Sequence, residues 1–277
     1  MLKIKNLKRS QIIIILSVAV IIVIGAFSFH FYKDKNCSDN VAVIPIVGEL
    51  ISSPRYNADG SIEKGDAVAI DIVAQIRKAS EDRKIKAIVF MIDSNGGDIN
   101  TAEEITRAVK EVKKPTVAII RSMGVSSAYW IASATGRIFA LPTSGTIDIG
   151  VTNSYVDNVE KNKTDGLTFH QISFGKYKDM QNPDKILTPD EEKLAIAQTT
   201  EVAQVFIKEI AENRHIPLEK IQTIADGSVI LGQDAIKLGL IDELGSFSDV
   251  DRYLSDTLKK NTSICIFNSE IKDKREK

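Results

Sequence analysis

"KAIVFMID", residues 86–93, is apolar between its two charged ends, and "SNGGD" (94–98) follows it. A strand with one wet face alternates apolar and polar residues. An unbroken apolar run instead marks a strand covered on both faces, the usual state in a parallel sheet. Its neighbours agree: "VAVIPIVG" (41–48), "TVAII" (116–120) and "IFAL" (138–141) are further short β-type runs. Between them, residues 66–80 carry Val68, Ile70, Ile72, Val73 and Ile76 at helical spacing, and helices are predicted over 101–112 and 126–134. Strands and helices alternating at this spacing imply right-handed crossovers and an α/β fold with a largely parallel sheet.

The second half is richer in helix, apart from "LTFHQIS" (167–173), whose alternation reads as a strand. In "LTPDEE" (187–192), Thr188 is placed as N-cap, Pro189 takes the first helical position and acids fill the first turn. That helix runs to about Asn213, with Ala203, Phe206, Ile207, Ile210 and Ala211 on one face. "SVILGQDAIKLGLIDELGS" (228–246) reads as a short strand, a short helix and a Gly-terminated return, and a last helix spans 247–258. Residues 41–260 are one domain on this reading, and 261–277 a polar tail.

Ahead of the domain, Ile12 to Tyr32 contains no Asp, Glu, Lys or Arg. As a helix it reaches about 31 Å, enough to cross a bilayer core. Lys3, Lys5, Lys8 and Arg9 precede it, while Lys33, Asp34 and Lys35 nearly cancel after it. The positive-inside bias keeps residues 1–11 in the cytoplasm and puts the linker 33–40 and the domain outside. The alternative is a cleaved signal peptide, with Ala26 and Ser28 as small cleavage-site residues. The apolar run is longer than a signal core, and cleavage there would expose Phe29, Phe31 and Tyr32. An uncleaved anchor is favoured.

Composition narrows the classes further. The 277 residues carry a formal net charge of −1, so no basic excess meets a nucleic acid. Cys37 and Cys265 lack metal-ligand spacing and constrain little.

Three stretches follow or end predicted strands, where open α/β sheets place their sites. In "DSNGGD" (93–98), paired glycines let the backbone turn sharply with N–H groups exposed, as anion stabilisation requires. A plain turn explains them equally. In "RSMGVSSAYW" (121–130), Ser126 and Ser127 sit at a helix start, where unpaired N–H groups favour an oxyanion. A serine there more often only caps the helix. In "SFGKYKDM" (173–180), Lys176 and Lys178 flank a tyrosine in a turn; loop lysines are usually solvated surface. His30 lies at the membrane boundary, and neither His170 nor His215 has a surrounding motif. A lysine whose ammonium is disfavoured by burial can serve as the base instead.

In their order these three stretches, with "GQDAIKLGLIDELGS" (232–246), resemble the signal peptide peptidase A family, serine–lysine membrane peptidases of the Clp-protease/crotonase superfamily. The resemblance spans roughly 40–258. It implies a Clp/crotonase-like parallel-sheet domain with a helical C-terminal part, behind one N-terminal transmembrane helix. Matched by position, Ser126 falls on the family's nucleophile and Lys178 on its general base, with the N–H groups of Gly97 and Ser127 as the oxyanion hole. Three positions depart from the family. Asn95 stands for a proline, Ser127-Ala128 for Gly-Gly, and Asp148 for the serine that supports the lysine. A carboxylate within about 4–6 Å of an ammonium favours its charged form, so Asp148 either orients the dyad, with an alkaline optimum, or marks lost activity.

The resemblance further implies a homo-oligomeric ring, an octamer by analogy, in which one copy's lysine completes the next copy's serine site. It implies no metal and no cofactor. The expected activity is endopeptidase cleavage of membrane-associated or hydrophobic peptides such as remnant signal peptides, at the cell membrane with the catalytic domain outside. Two other classes are weaker. A catalytically impaired ring-forming scaffold or regulator of the same fold is motivated by Ser127, Ala128 and Asp148. A crotonase-type acyl-CoA enzyme conflicts with the external orientation, since CoA thioesters are cytoplasmic.

Overall fold

The computed structural model describes residues 40–267, apart from 62 and 64. In chain order the strands are β1 (Val41–Val47), β2 (Leu50–Ile51), β3 (Ala67–Val68), β4 (Ala87–Ser94), β5 (Thr116–Gly124), β6 (Arg137–Ala140), β7 (Gly145–Ile147), β8 (Ile230–Leu231), β9 (Glu243–Leu244) and β10 (Ile264–Ile266). The helices are α1 (Ala69–Glu81), α2 (Ile99–Glu111), α3 (Ser127–Ser133), α4 (Val159–Thr164), α5 (Pro189–Arg214), α6 (Leu218–Ile224), α7 (Gly232–Ala235) and α8 (Phe247–Leu258).

The main sheet has the order β10-β1-β4-β5-β6-β9, and each of these pairings is parallel. The doubly covered state read from the apolar runs is what forms. Val41, Val43, Ala87, Val89, Val117 and Ile119 point to one face and pack under Val250 and Leu254 of α8. Residues of the other parity, such as Ala42, Ile44, Ile88, Phe90 and Ile120, are equally buried and face α1 and α3. Burying one such Ile or Phe side chain is worth about 1.5–3 kcal/mol, so the strands have no face to offer water.

Beyond β5 the chain builds the site's floor. β7 pairs in parallel with β5 through Met123 and Gly145, and antiparallel with β8. Thr146 Oγ1 donates to the Ile230 carbonyl at 2.8 Å, which ties 145–147 to 230–231. The helix α5 starts as its sequence directs. Thr188 accepts the Glu191 N–H, and the Glu191 carboxylate reaches back to the Thr188 N–H at 2.9 Å, a full capping box.

Two segments differ from the sequence reading. Residues 264–266, placed there in a polar tail, form β10, because "ICI" adds to the open edge of β1 in parallel register. Residues 167–173, read as a strand from their alternation, form none. Among the described residues their backbone meets no ladder partner, and alternation without a partner is not a strand. Among the described residues no helix is long and apolar enough to cross a membrane, and the span expected over 12–32 lies outside them.

Candidate active site

Two strand ends converge on one cavity. β4 ends at Ser94 and β5 at Gly124, paired to each other after a register shift, and Val125 N–H donates to the Ser94 carbonyl at 3.3 Å. Ser94 Oγ donates to the Gly48 carbonyl at 2.6 Å and accepts the Gly96 N–H at 3.0 Å. These bonds pull the Asn95–Asp98 loop over the start of α3.

Only glycine fits that loop. Gly96 and Gly97 have φ of +94° and +147°. A Cβ on Gly96 would sit 2.9 Å from both Ser126 Cβ and Ser127 Oγ; one on Gly97 would sit 2.4 Å from the Leu50 carbonyl oxygen. The loop is then stitched to β2, with Leu50 N–H donating to Gly96 O at 2.9 Å and Asp98 N–H donating to Leu50 O at 2.8 Å. Among the described residues, the N–H groups of Gly97 and Ser127 find no acceptor.

The two serines are now distinguishable. Ser127 is fully buried, and its hydroxyl donates to the Gly97 carbonyl at 3.3 Å. Ser126 precedes α3 with φ 53° and ψ −133°, a conformation sparse for any residue with a Cβ, and its side chain makes no capping bond. The capping explanation of Ser126 therefore fails here. Behind it, Tyr129 donates its hydroxyl to the Leu240 carbonyl at 2.6 Å, and burial raises that phenol's pKa above its usual value. Trp130 stacks on Phe206 of α5, ring centroids 5.2 Å apart, which holds α3 against α5.

Ser126 and Gly97 line a cavity of about 770 Å³ with Ile149, Phe206, Ile207, Asp148 and Asp226. A second cavity of about 410 Å³ runs on along α5, sharing Val151, Thr152, Thr199 and Thr200 with the first. Asp148 is half-buried. Burial first, and the charge of Asp226 second, push its carboxyl above the usual range. Asp226, held low by bonds from Ser228, escaped the sequence reading, as did Thr199 and Thr200. Its one local sign is the D-G-S turn at 226–228.

Lys178 is not among the residues that line this cavity. It lies exposed in a turn closed by its own N–H donating to the Gly175 carbonyl at 3.2 Å, with Gly175 at φ 104°. Among the described residues its amine has no hydrogen-bond or ion-pair partner, whereas Lys176 is paired with Asp190 at 2.6 Å. No histidine lines the cavity either. A single chain thus brings together Ser126, Ser127, Gly97 and Asp148, and leaves Lys178 outside.

Known proteins bear on this arrangement. The model of "Peptidase family S49" matches residues 108–261, and that of "Clp protease" matches residues 45–149. "Putative protease slr0021" of Synechocystis is 32% identical over 206 residues, 72% of either chain. "Protease 4" of Salmonella typhi is 31% identical over 232 residues, 81% of this chain but 36% of its own length. "Putative protease MJ0651" of Methanocaldococcus jannaschii is 29% identical over 250 residues, 86% of this chain and 79% of the relative. A match over more than half of its length, with a serine presented at the mouth of a parallel-sheet cavity, assigns the chain: it belongs to peptidase family S49 and is a serine peptidase.

Proposed function

We propose that Ser126 is the nucleophile of a membrane-anchored endopeptidase and that Lys178 of a neighbouring copy is its general base. Of the two adjacent serines, only Ser126 faces the cavity, on a strained turn beside the unpaired N–H groups of Gly97 and Ser127. That observation carries the reading. The unpaired amine of Lys178, outside its own chain's cavity, supports supply from another copy.

The reaction runs in two halves. Lys178 Nζ takes the Ser126 hydroxyl proton as Oγ attacks the peptide carbonyl, and the oxyanion forms against the Gly97 and Ser127 amides. Collapse breaks the C–N bond, and the lysine returns its proton to the leaving amine. Water, deprotonated by the same lysine, then attacks the Ser126 ester; the C–Oγ bond breaks, the acid leaves, and the lysine returns the proton to Ser126 Oγ. The two adjoining cavities give an extended peptide room beside Ser126. By the family resemblance, membrane-associated or hydrophobic peptides such as remnant signal peptides are the substrates. Residues 12–32 anchor the protein, residues 1–11 lie in the cytoplasm, and the domain from 41 onward lies outside.

A ring of copies follows from the same reading. The segment from 151 to 187 displays Val156, Leu167, Ile172 and Phe174 to solvent, and Ile172 and Phe174 are essentially fully exposed. Apolar surface on that scale is normally covered by a partner. Fluorophosphonate labelling tests the chemistry. Wild type and Ser127→Ala are expected to label, while Ser126→Ala and Lys178→Ala are not. Labelling lost in Ser127→Ala alone would sink the assignment.

A further inference from the structure

The cavity around Ser126 holds two carboxylates, and no lysine, arginine or histidine lines it. A neighbour's Lys178 acting as base enters as a neutral amine, so it cancels neither charge before the reaction. Asp148 stands in the stretch that the lysine is expected to meet, which leaves Asp226 to face the substrate. Its orientation is built rather than incidental. Oδ1 accepts from Ser228 N–H at 2.9 Å and from Ser228 Oγ at 2.6 Å, while Oδ2 meets no described donor. Its charge is felt inside the cavity, where it is the second cause of the raised Asp148 carboxyl.

The walls beside it have a definite shape. Gly227 (φ 79°) follows Asp226, and a Cβ on Gly150 would come within 3.2 Å of Gly227 Cα, so this side is bare backbone. Hydrocarbon from the partly accessible Val151, Ala203 and Ile207 lines the same cavity. Lysine and arginine side chains want this combination, an apolar wall for the stem and an oxyanion at the end. We propose that Asp226 makes the peptidase favour substrates whose Lys or Arg side chain occupies the Ser126 cavity. The inference rests on that cavity being the site of cleavage. Asp226 is exposed, so water screens the pair, and the preference over a neutral side chain of equal size is about three- to five-fold.

The test compares otherwise identical peptides bearing arginine, citrulline or glutamate, hydrolysed by the full-length protein in detergent. The arginine-to-citrulline ratio of kcat/KM is expected at about three to five in wild type, falling with added salt. It should drop to about one in Asp226→Asn, which keeps the acceptor for Ser228 and removes only the charge. In Asp226→Lys the glutamate peptide should overtake the arginine peptide. A ratio unchanged in both variants overturns the proposal. So does a shift of the pH profile that is equal for all three peptides with the ratio intact, since Asp226 would then act on the lysine base. Calorimetric binding of the uncut peptides to Ser126→Ala separates the two readings. Tighter binding of arginine that depends on Asp226, in a protein that cleaves nothing, would leave the pocket standing and remove the peptidase mechanism. Cleavage with equal binding would do the reverse.

Discussion

Ser126 holds a backbone conformation that a residue with a Cβ reaches only at a cost of about 1–3 kcal/mol. Its replacement by glycine removes that strain and the hydroxyl together. Ser126→Gly should therefore raise stability by roughly 1 kcal/mol, a few degrees in the thermal midpoint, while abolishing covalent labelling. A lowered midpoint would show that the turn is not strained. Asp148 yields a second prediction with a defined sign. Burial and the neighbouring Asp226 raise its carboxyl, so its contribution to stability is fully present below the ordinary aspartate value of about 3.9. That contribution is lost as pH rises through the raised folded value. Asp148→Asn should stabilise the protein at neutral pH and make no difference near about pH 3, as denaturant titrations at both pH values would show. An Asp148→Ser variant should also move labelling to lower pH, because an ammonium entering the cavity would no longer face a carboxylate there. At this scale the sequence was only partly legible. Adjacent serines at a helix start look alike until backbone angles separate a buried Ser127 from a presented Ser126. Asp226 was hidden because it reaches the cavity through the pairing of β7 with β8, across some eighty residues of chain.

Among the elements, α5 lines the cavity, and Phe206 joins it to α3. Phe206 is fully buried against Trp130, so Phe206→Ala should lower stability by about 3–5 kcal/mol and open the cavity floor. A loss below about 1 kcal/mol in urea denaturation would mean that the helices are held elsewhere. The start of α5 depends on Glu191, which is buried and accepts from Lys185 Nζ at 2.6 Å as well as from Thr188. The Lys185 bond first, and the Thr188 N–H second, hold its carboxyl below the usual range. The resulting stability is present above the ordinary glutamate pKa and is lost as pH falls through the lowered one. Glu191→Gln should thus lower the thermal midpoint at neutral pH, with the gap to wild type narrowing in acid. The cap was legible because "TPDEE" writes it locally. The expected strand at 167–173 was not to be had from local pattern, since a ladder needs a second strand and none is found among the described residues.

For the molecule as a whole, the central sheet was readable because doubly buried parallel strands leave continuous apolar runs, as 41–47 and 87–92 do. The edge strand β10 was not, since four apolar residues (264–267) among polar ones are too short a run to carry a periodicity. If active sites are completed between copies, Ser126→Ala and Lys178→Ala proteins, each inert alone, should regain labelling when mixed and reassembled. Wild-type activity should fall on dilution faster than protein concentration. Mixtures that stay silent would mean that the base comes from within one chain. The two ends of the described domain also meet. Val41 N–H donates to the Ser263 carbonyl at 3.2 Å, and the Asn40 side chain bonds both Asn261 O and Ser263 N–H. Phe267 N–H, just past β10, donates to the Val43 carbonyl, so a bridge running back along the sheet edge from 267 to 40, about 10–13 Å, would close the polypeptide into a circle, and new termini could be cut at the exposed Gly166 turn. Such a circular permutant should refold with its cavity intact, which would make the succession of strands along the gene incidental to the three-dimensional object it encodes.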